Sequence, residues 1–260
     1  MAKDEMAPVK NKTRQTLRRI TFRIADFIFP RTCLVCGKIN PKGVYRHLCG
    51  DCAKEISLCT GCRCLICGEI LGGADMPDIN GCPKCMDMQI AYSQALCPTV
   101  FSGPIKRLVH AIKYSSAPYA AEDLATAAAF HPKTKDFLRN AVVVPVPLYR
   151  LRRLKRGYNQ AEVIARALAA KFPELNIEIA HLLRRTRNTS TQTRLTREER
   201  TQNIRGAFET TPEAANIRKD APIVIFDDVM TTAATANECA KTLRKAGFKN
   251  LRVFAIAKKI

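Results

Sequence analysis

With 260 residues, 47% of them hydrophobic and few aromatic, the chain is long enough for one ordinary domain plus a smaller module and apolar enough to bury a core. Its formal net charge of +20 exceeds what solubility demands and points to a polyanionic partner: nucleic acid, a phosphorylated ligand or an anionic membrane surface. No apolar run reaches the length of a membrane span and no secretory h-region opens the chain, so the expectation is a cytoplasmic protein.

Residues 1–13 are polar and read as disordered. The next stretch, RQTLRRITFRIADFI at 14–28, sets Leu17, Ile20, Ile24 and Ile28 at helical spacing and predicts a basic amphipathic helix within an N-terminal extension over 1–30. Packing on the domain behind it is the plainer expectation; a short membrane-surface helix is the alternative. Arg23 and Asp26 interrupt its apolar run.

Ten of the twelve cysteines crowd between Cys33 and Cys85 as C-x-x-C pairs, a pattern that in a cytosolic chain favours metal over disulfides. The segment repeats. CLVCGKI at 33–39 returns as CLICGEI at 64–70, and each copy is answered by a second pair, CGDC at 49–52 and CPKC at 82–85, after twelve and fourteen residues. Each half supplies four thiolates for one tetrahedral zinc: Cys33, Cys36, Cys49 and Cys52, then Cys64, Cys67, Cys82 and Cys85. Gly37 and Gly68 follow the leading pairs and suit a tight knuckle at positive φ. The expectation is a double zinc ribbon over 31–88, structural because four cysteines leave no open coordination position and because zinc substitutes for a core too small to fold alone. Cys59 and Cys62 form a fifth pair with no assigned role; they compete with Cys64 and Cys67 as ligands, but only the latter copy the leading CLxCG. Cys97 and Cys239 stand apart and read as small buried hydrophobes.

From about residue 91 the composition changes. After the apolar segment AYSQALCPTVFSG, PIKRLVHAIKYS and the stretch around AEDLATAAAF carry helical periodicity, and AVVVPVP is the β-branched run of a buried strand. A basic loop, LYRLRRLKRGYN, leads to the amphipathic helix QAEVIARALAAKF, then to a polar, arginine-rich stretch from Arg184 to about Arg205. The strand APIVIFDD, the helix 236–246 stopped by Gly247 and the strand LRVFAIAKK close the chain. Strands alternating with helices predict an α/β domain on a largely parallel sheet over 91–260.

In such a sheet, ligands bind beyond the carboxyl ends of the strands, where IVIFDD delivers Asp227 and Asp228. The turn from Met230 to Thr235 then opens a helix whose free amides and positive dipole end suit a phosphate, and Thr231, Thr232 and Thr235 add hydroxyl donors. Carboxylates accept hydrogen bonds from ribose hydroxyls or bind Mg2+. Acids beside a phosphate cradle read as a sugar-phosphate site; the plainer alternative is a strand end and a helix entry. No G-x-x-x-x-G-K-[ST] accompanies the acids and no G-x-G-x-x-G occurs, which removes a P-loop ATPase and the simplest dinucleotide site.

DDVMTTAAT resembles the phosphoribosyl-diphosphate (PRPP) motif of type I phosphoribosyltransferases, two acids and two hydrophobes followed by T-T-G-x-T. The wider chain is similar to the ComF family of bacterial competence-associated proteins, through the cysteine ribbons, PIKRLVHAIKY, VVPVPLYRLRRLKRGYNQAE and LLRRTRNTSTQTRLTREERTQNIRGAF. The resemblance covers most of the chain from Cys33 onward. It implies a type I phosphoribosyltransferase-like fold, a largely parallel sheet flanked by helices, behind a tandem zinc ribbon. It implies that Asp227 and Asp228 are the catalytic acids and hold the ribose hydroxyls, directly or through Mg2+. Thr231, Thr232, Ala233, Ala234 and Thr235 would wrap the 5′-phosphate, Leu148, Tyr149 and Arg150 would form the pyrophosphate loop, and Arg184–Arg205 would be a mobile hood. The family pattern has glycine where Ala233 stands. If that position needs positive φ, alanine costs about 1–2 kcal/mol, equivalent to roughly ten- to thirtyfold in affinity.

Two functions follow. One is transfer of the phosphoribosyl group of PRPP to an acceptor in nucleotide metabolism, for which no acceptor site is recognisable in the sequence. The other resembles the role of ComF proteins in DNA uptake and natural transformation, with single-stranded DNA and competence-machinery proteins as partners. Arg150, Arg152, Arg153, Lys155 and Arg156 place five positive charges in seven residues, more than one pyrophosphate requires, and Arg184, Arg185, Arg187, Arg194 and Arg197 form a second cluster. Both clusters are expected to neutralise a nucleic-acid backbone, with binding that falls as salt rises. Only Tyr149 and Tyr158 stand near them, so backbone contact is expected to outweigh base readout.

Overall fold

The computed structural model describes residues 31–39, 43–72, 78–85, 88–188 and 197–260. The helix expected over 14–28, Arg194 and the side chain of Arg197 lie outside the described residues. Eight strands are described in chain order: β1 (Ala95–Leu96), β2 (Thr99–Val100), β3 (Val142–Pro145), β4 (Glu178–Ile179), β5 (Leu183–Arg185), β6 (Phe208–Thr210), β7 (Ile223–Met230) and β8 (Leu251–Lys258). Six of them form one parallel sheet in the order β1-β8-β7-β3-β4, with β2 also paired to β8. β5 and β6 form a separate antiparallel pair. The helices are α1 (Gly50–Lys54), α2 (Gly103–Tyr114), α3 (Ala121–Ala129), α4 (Thr134–Leu138), α5 (Arg150–Arg156), α6 (Gln160–Lys171), α7 (Arg197–Ile204) and α8 (Ala234–Lys245).

The run IVIF at the start of β7 is apolar at every position because both faces of the strand are covered. Val224 and Phe226 point into a cluster with α2, α3 and α6, where the Phe226 ring stacks on Phe254 at 5.5 Å and 11°. Ile223 and Ile225 point the other way, into a cluster with Ala236, Cys239, Ala240 and Leu243 of α8. The central position of β7 thus carries Asp227 and Asp228 to the middle of the sheet's carboxyl edge.

The two ribbons dock on opposite faces. Tyr45, Leu48, Cys49 and Cys52 of the first ribbon complete the cluster beneath Phe226 and Phe254. There the carboxylate of Asp123 on α3 accepts the amides of Arg46 and His47, each at 2.7 Å. Cys64, Ile66, Cys67 and Cys85 of the second ribbon join the cluster around α8, and the Tyr92 hydroxyl donates to the Ile66 carbonyl at 2.6 Å. The segment between the ribbons and the start of the second ribbon run along the β1/β2 edge of the sheet. The Cys59 amide donates to Pro98 O at 2.9 Å, Val100 N to Ser57 O at 2.9 Å, and Ala95 N to Leu65 O at 2.5 Å.

One local expectation needs correction. The basic stretch read as a loop contains α5, since a run of arginine, leucine and lysine favours helix and Gly157, at φ +81°, terminates it. Among the described residues, the polar stretch from Arg184 opens with β5 and closes with α7, and β6 beyond it returns beside β5. The apolar segment before α2 holds the two short strands β1 and β2.

Candidate functional site

The cysteines gather as the repeat predicts. Within each group of four, the sulfurs all lie within 4.8 Å of one another. Four sulfurs about 2.3 Å from a zinc form a tetrahedron with edges of about 3.8 Å. The Cys36–Cys49, Cys67–Cys82 and Cys82–Cys85 sulfur separations are 3.6, 3.7 and 3.8 Å. Gly37 and Gly68 adopt φ of +74° and +70°. Burial alone would raise the Cys33 thiol, but the backbone amides of Cys49, Cys36 and Val35 bring it down to about 7. Burial and the neighbouring sulfurs push Cys52 and Cys85 up, so the four thiolates of a cluster coexist only with a cation among them. The donor sets fit structural zinc. Cys59 and Cys62 are buried and belong to neither group, and Cys97 and Cys239 are buried singly.

At the carboxyl end of β7 the two acids differ. Asp228 is buried, and its Oδ2 lies 2.7 Å from Nζ of Lys113 on α2. Burial would lower the lysine, but the Asp228 charge outweighs it and holds Lys113 above its ordinary range. Asp227 is half-buried and lines a cavity of about 280 Å³; burial, then the charge of Asp228, push its carboxyl up to about 8. After Met230 the chain turns into α8 through Ala233, whose φ is +59° and whose methyl group is buried. Thr231, Ala233, Ala234 and Thr235 line the same cavity, whereas Thr232 does not.

Leu148 also reaches this cavity, and Arg152 and Arg156 close it from α5. Arg156 is steadied by the Gln160 side chain, and the preceding loop by Asn159, which caps α6 and donates to Val146 O at 3.0 Å. Tyr149, Arg150 and Arg153 line instead a second cavity of about 660 Å³, together with Arg184 from β5; Arg185 borders both. A four-residue step and a three-residue step along α5 therefore serve two different cavities. Lys155 stays on the outer surface, and Arg187 is committed to the Arg205 carbonyl at 2.7 Å. Tyr158 is turned away, its hydroxyl on the Ile112 carbonyl.

Sequence reasoning missed the cavity wall that α2 supplies. His110, Lys113 and Tyr114 share one face of α2, and Phe101 stands beside them, with ring centroids 6.2 Å apart for Phe101–His110 and 5.5 Å for His110–Tyr114. The signal was present in the spacing of H-x-x-K-Y within PIKRLVHAIKY, the polar face of an otherwise core-facing helix.

Residues 24–86 match the double zinc ribbon domain. Along 81% of its length the chain is 28% identical to competence protein F of Haemophilus influenzae, covering 90% of that protein. The resemblance to the ComF family stands. A further relative is the DNA utilization protein YhgH of Salmonella typhi, 25% identical over 81% of this chain and 90% of that protein. YhgH of Escherichia coli K12 is 25% identical over 68% of this chain and 77% of that protein.

Proposed function

We propose that this protein serves DNA uptake in the manner of ComF proteins, with PRPP or a related sugar phosphate in the smaller cavity and single-stranded DNA on the basic surface around α5 and β5. In this reading it works in the cytoplasm beside other competence proteins. Relatives named for competence and for DNA utilization support the DNA link. One observation carries the ligand: an acid pair, a helix-opening turn and three guanidiniums meet around a single cavity. The amides at the start of α8 suit a 5′-phosphate, Asp227 suits ribose hydroxyls, and Arg152 and Arg156 suit a diphosphate. Asp227 would hold Mg2+ from the cavity wall, with Asp228 beside it engaged by Lys113, and the ion would favour the charged Asp227 carboxylate and neutralise diphosphate charge when bound.

The second reading is an active phosphoribosyltransferase. The Phe101–His110–Tyr114 wall favours it, because an acceptor ring stacked there would share the cavity with the acids.

Calorimetry tests the ligand. PRPP with Mg2+ is titrated into zinc-loaded protein, into the Asp227→Asn, Asp228→Asn double variant, and into Asp227→Asn alone, which leaves the Lys113–Asp228 pair in place. The expected result is micromolar binding to the wild type, lost in the double variant and weakened in the single one. Absence of binding to the wild type, or equal binding to all three, overturns the sugar-phosphate assignment.

A further inference from the structure

We infer that Lys258 is a positioning residue that couples the second zinc ribbon to the turn at 230–235, so that the integrity of this ribbon, and not of the first, sets the order of that turn. Lys258 ends β8 and its side chain is only 2% exposed. A buried ammonium is strongly unfavourable without partners. Its Nζ donates to the Thr231 carbonyl at 2.8 Å and lies 3.3 Å from Glu69 Oε2. One partner belongs to the turn and the other to the ribbon.

Glu69 is tied into the metal cluster's frame. It directly follows Cys67 and Gly68, its carbonyl accepts the Cys64 amide at 2.9 Å, and its carboxylate is met at 2.7 Å by Lys84, which sits between Cys82 and Cys85. Displacement of the ribbon would take away the acceptor that keeps Lys258 aimed at Thr231. A second contact line runs in parallel. A Cβ built on Gly68 would stand 2.9 Å from the Cys97 sulfur, so the knuckle backbone presses on Cys97, whose Sγ lies 3.9 Å from the sulfur of Met230. Met230 immediately precedes the turn. The first ribbon has its own anchor on Asp123 of α3 and joins the other core cluster.

The test reads the turn itself and needs no ligand, so its outcome is separate from that of PRPP binding. Amide hydrogen exchange over 229–236 is followed in the full, zinc-loaded chain for the wild type, Lys258→Met, Glu69→Gln and Asp123→Asn, with zinc content measured in each. Exchange in the turn is expected to quicken by at least about tenfold in Lys258→Met while both zincs are retained, to quicken less in Glu69→Gln, and to stay unchanged in Asp123→Asn. If Lys258→Met does not fold, Glu69→Gln decides, since it keeps the lysine and removes only the charge that holds it toward Thr231. An unchanged turn in the folded Lys258→Met or, failing that, in Glu69→Gln overturns the inference. So does an equal loosening in Asp123→Asn, which would reflect general destabilisation.

Discussion

At Ala233 the main chain turns through φ +59° with its methyl group buried, a left-handed conformation that costs an L-residue about 1–2 kcal/mol. Glycine relieves that strain but loses roughly 0.4–1 kcal/mol more through the freedom of its unfolded chain. Ala233→Gly is therefore expected to stabilise the zinc-loaded protein by about 0.5–1 kcal/mol in denaturant unfolding. A loss of stability would show that the methyl group's packing outweighs the strain. The position was legible in the sequence because the surrounding acids and threonines marked the turn; the sign of φ was not, since alanine gives no hint of it. Lys113 was less legible still. One lysine among 43 basic residues signals nothing until α2 brings it 2.7 Å from a buried acid.

At the scale of elements, α5 decides how the basic charge is used. Read as a loop, its five charges formed one patch; as a helix they divide, Arg152 and Arg156 toward the acids, Arg150 and Arg153 toward the larger cavity. The two pairs should then fail differently. Arg152→Ala, Arg156→Ala is expected to weaken PRPP by at least about tenfold, since bonds to charged groups are worth about 1.5–3 kcal/mol each. Arg150→Ala, Arg153→Ala should spare PRPP and weaken binding of an oligothymidylate. Two lost phosphate contacts should also flatten the plot of log affinity against log salt by about 1.4, at about 0.7 per contact on single strands. Filter binding between low and moderate salt measures the slope; equal effects of both pairs on both ligands would sink the division. The helix was hidden because its two leucines, Leu151 and Leu154, stand three apart but are outnumbered by five charged residues, and both are exposed. The parallel sheet, by contrast, was written in unbroken β-branched runs, which only a strand covered on both faces needs.

For the molecule as a whole, the cysteine repeat predicted two metal clusters but not where they would sit. Nothing in CLVCG or CLICG tells which hydrophobic face each ribbon will complete. The structure gives the first ribbon the face with Phe226 and Phe254 and the second the face with α8, so neither cluster of core residues is whole without its ribbon. Removal of zinc by a strong chelator is expected to lower the unfolding temperature and not merely to free two small appendages. The check is calorimetric unfolding with and without chelator, and an unchanged main transition would show that the ribbons are energetically separate.

The segment joining the ribbons has a role of a different kind. Its backbone groups at Ser57 and Cys59 occupy partners on β2 and the turn before it, and Leu65 at the start of the second ribbon occupies β1. Open strand edges recruit strands from other molecules, and proteins guard against this by covering them. Here the guard is held in place by metal at both ends. Loss of zinc should therefore add a dependence on protein concentration: the bared edge becomes a seam along which copies of the chain join, sheet to sheet.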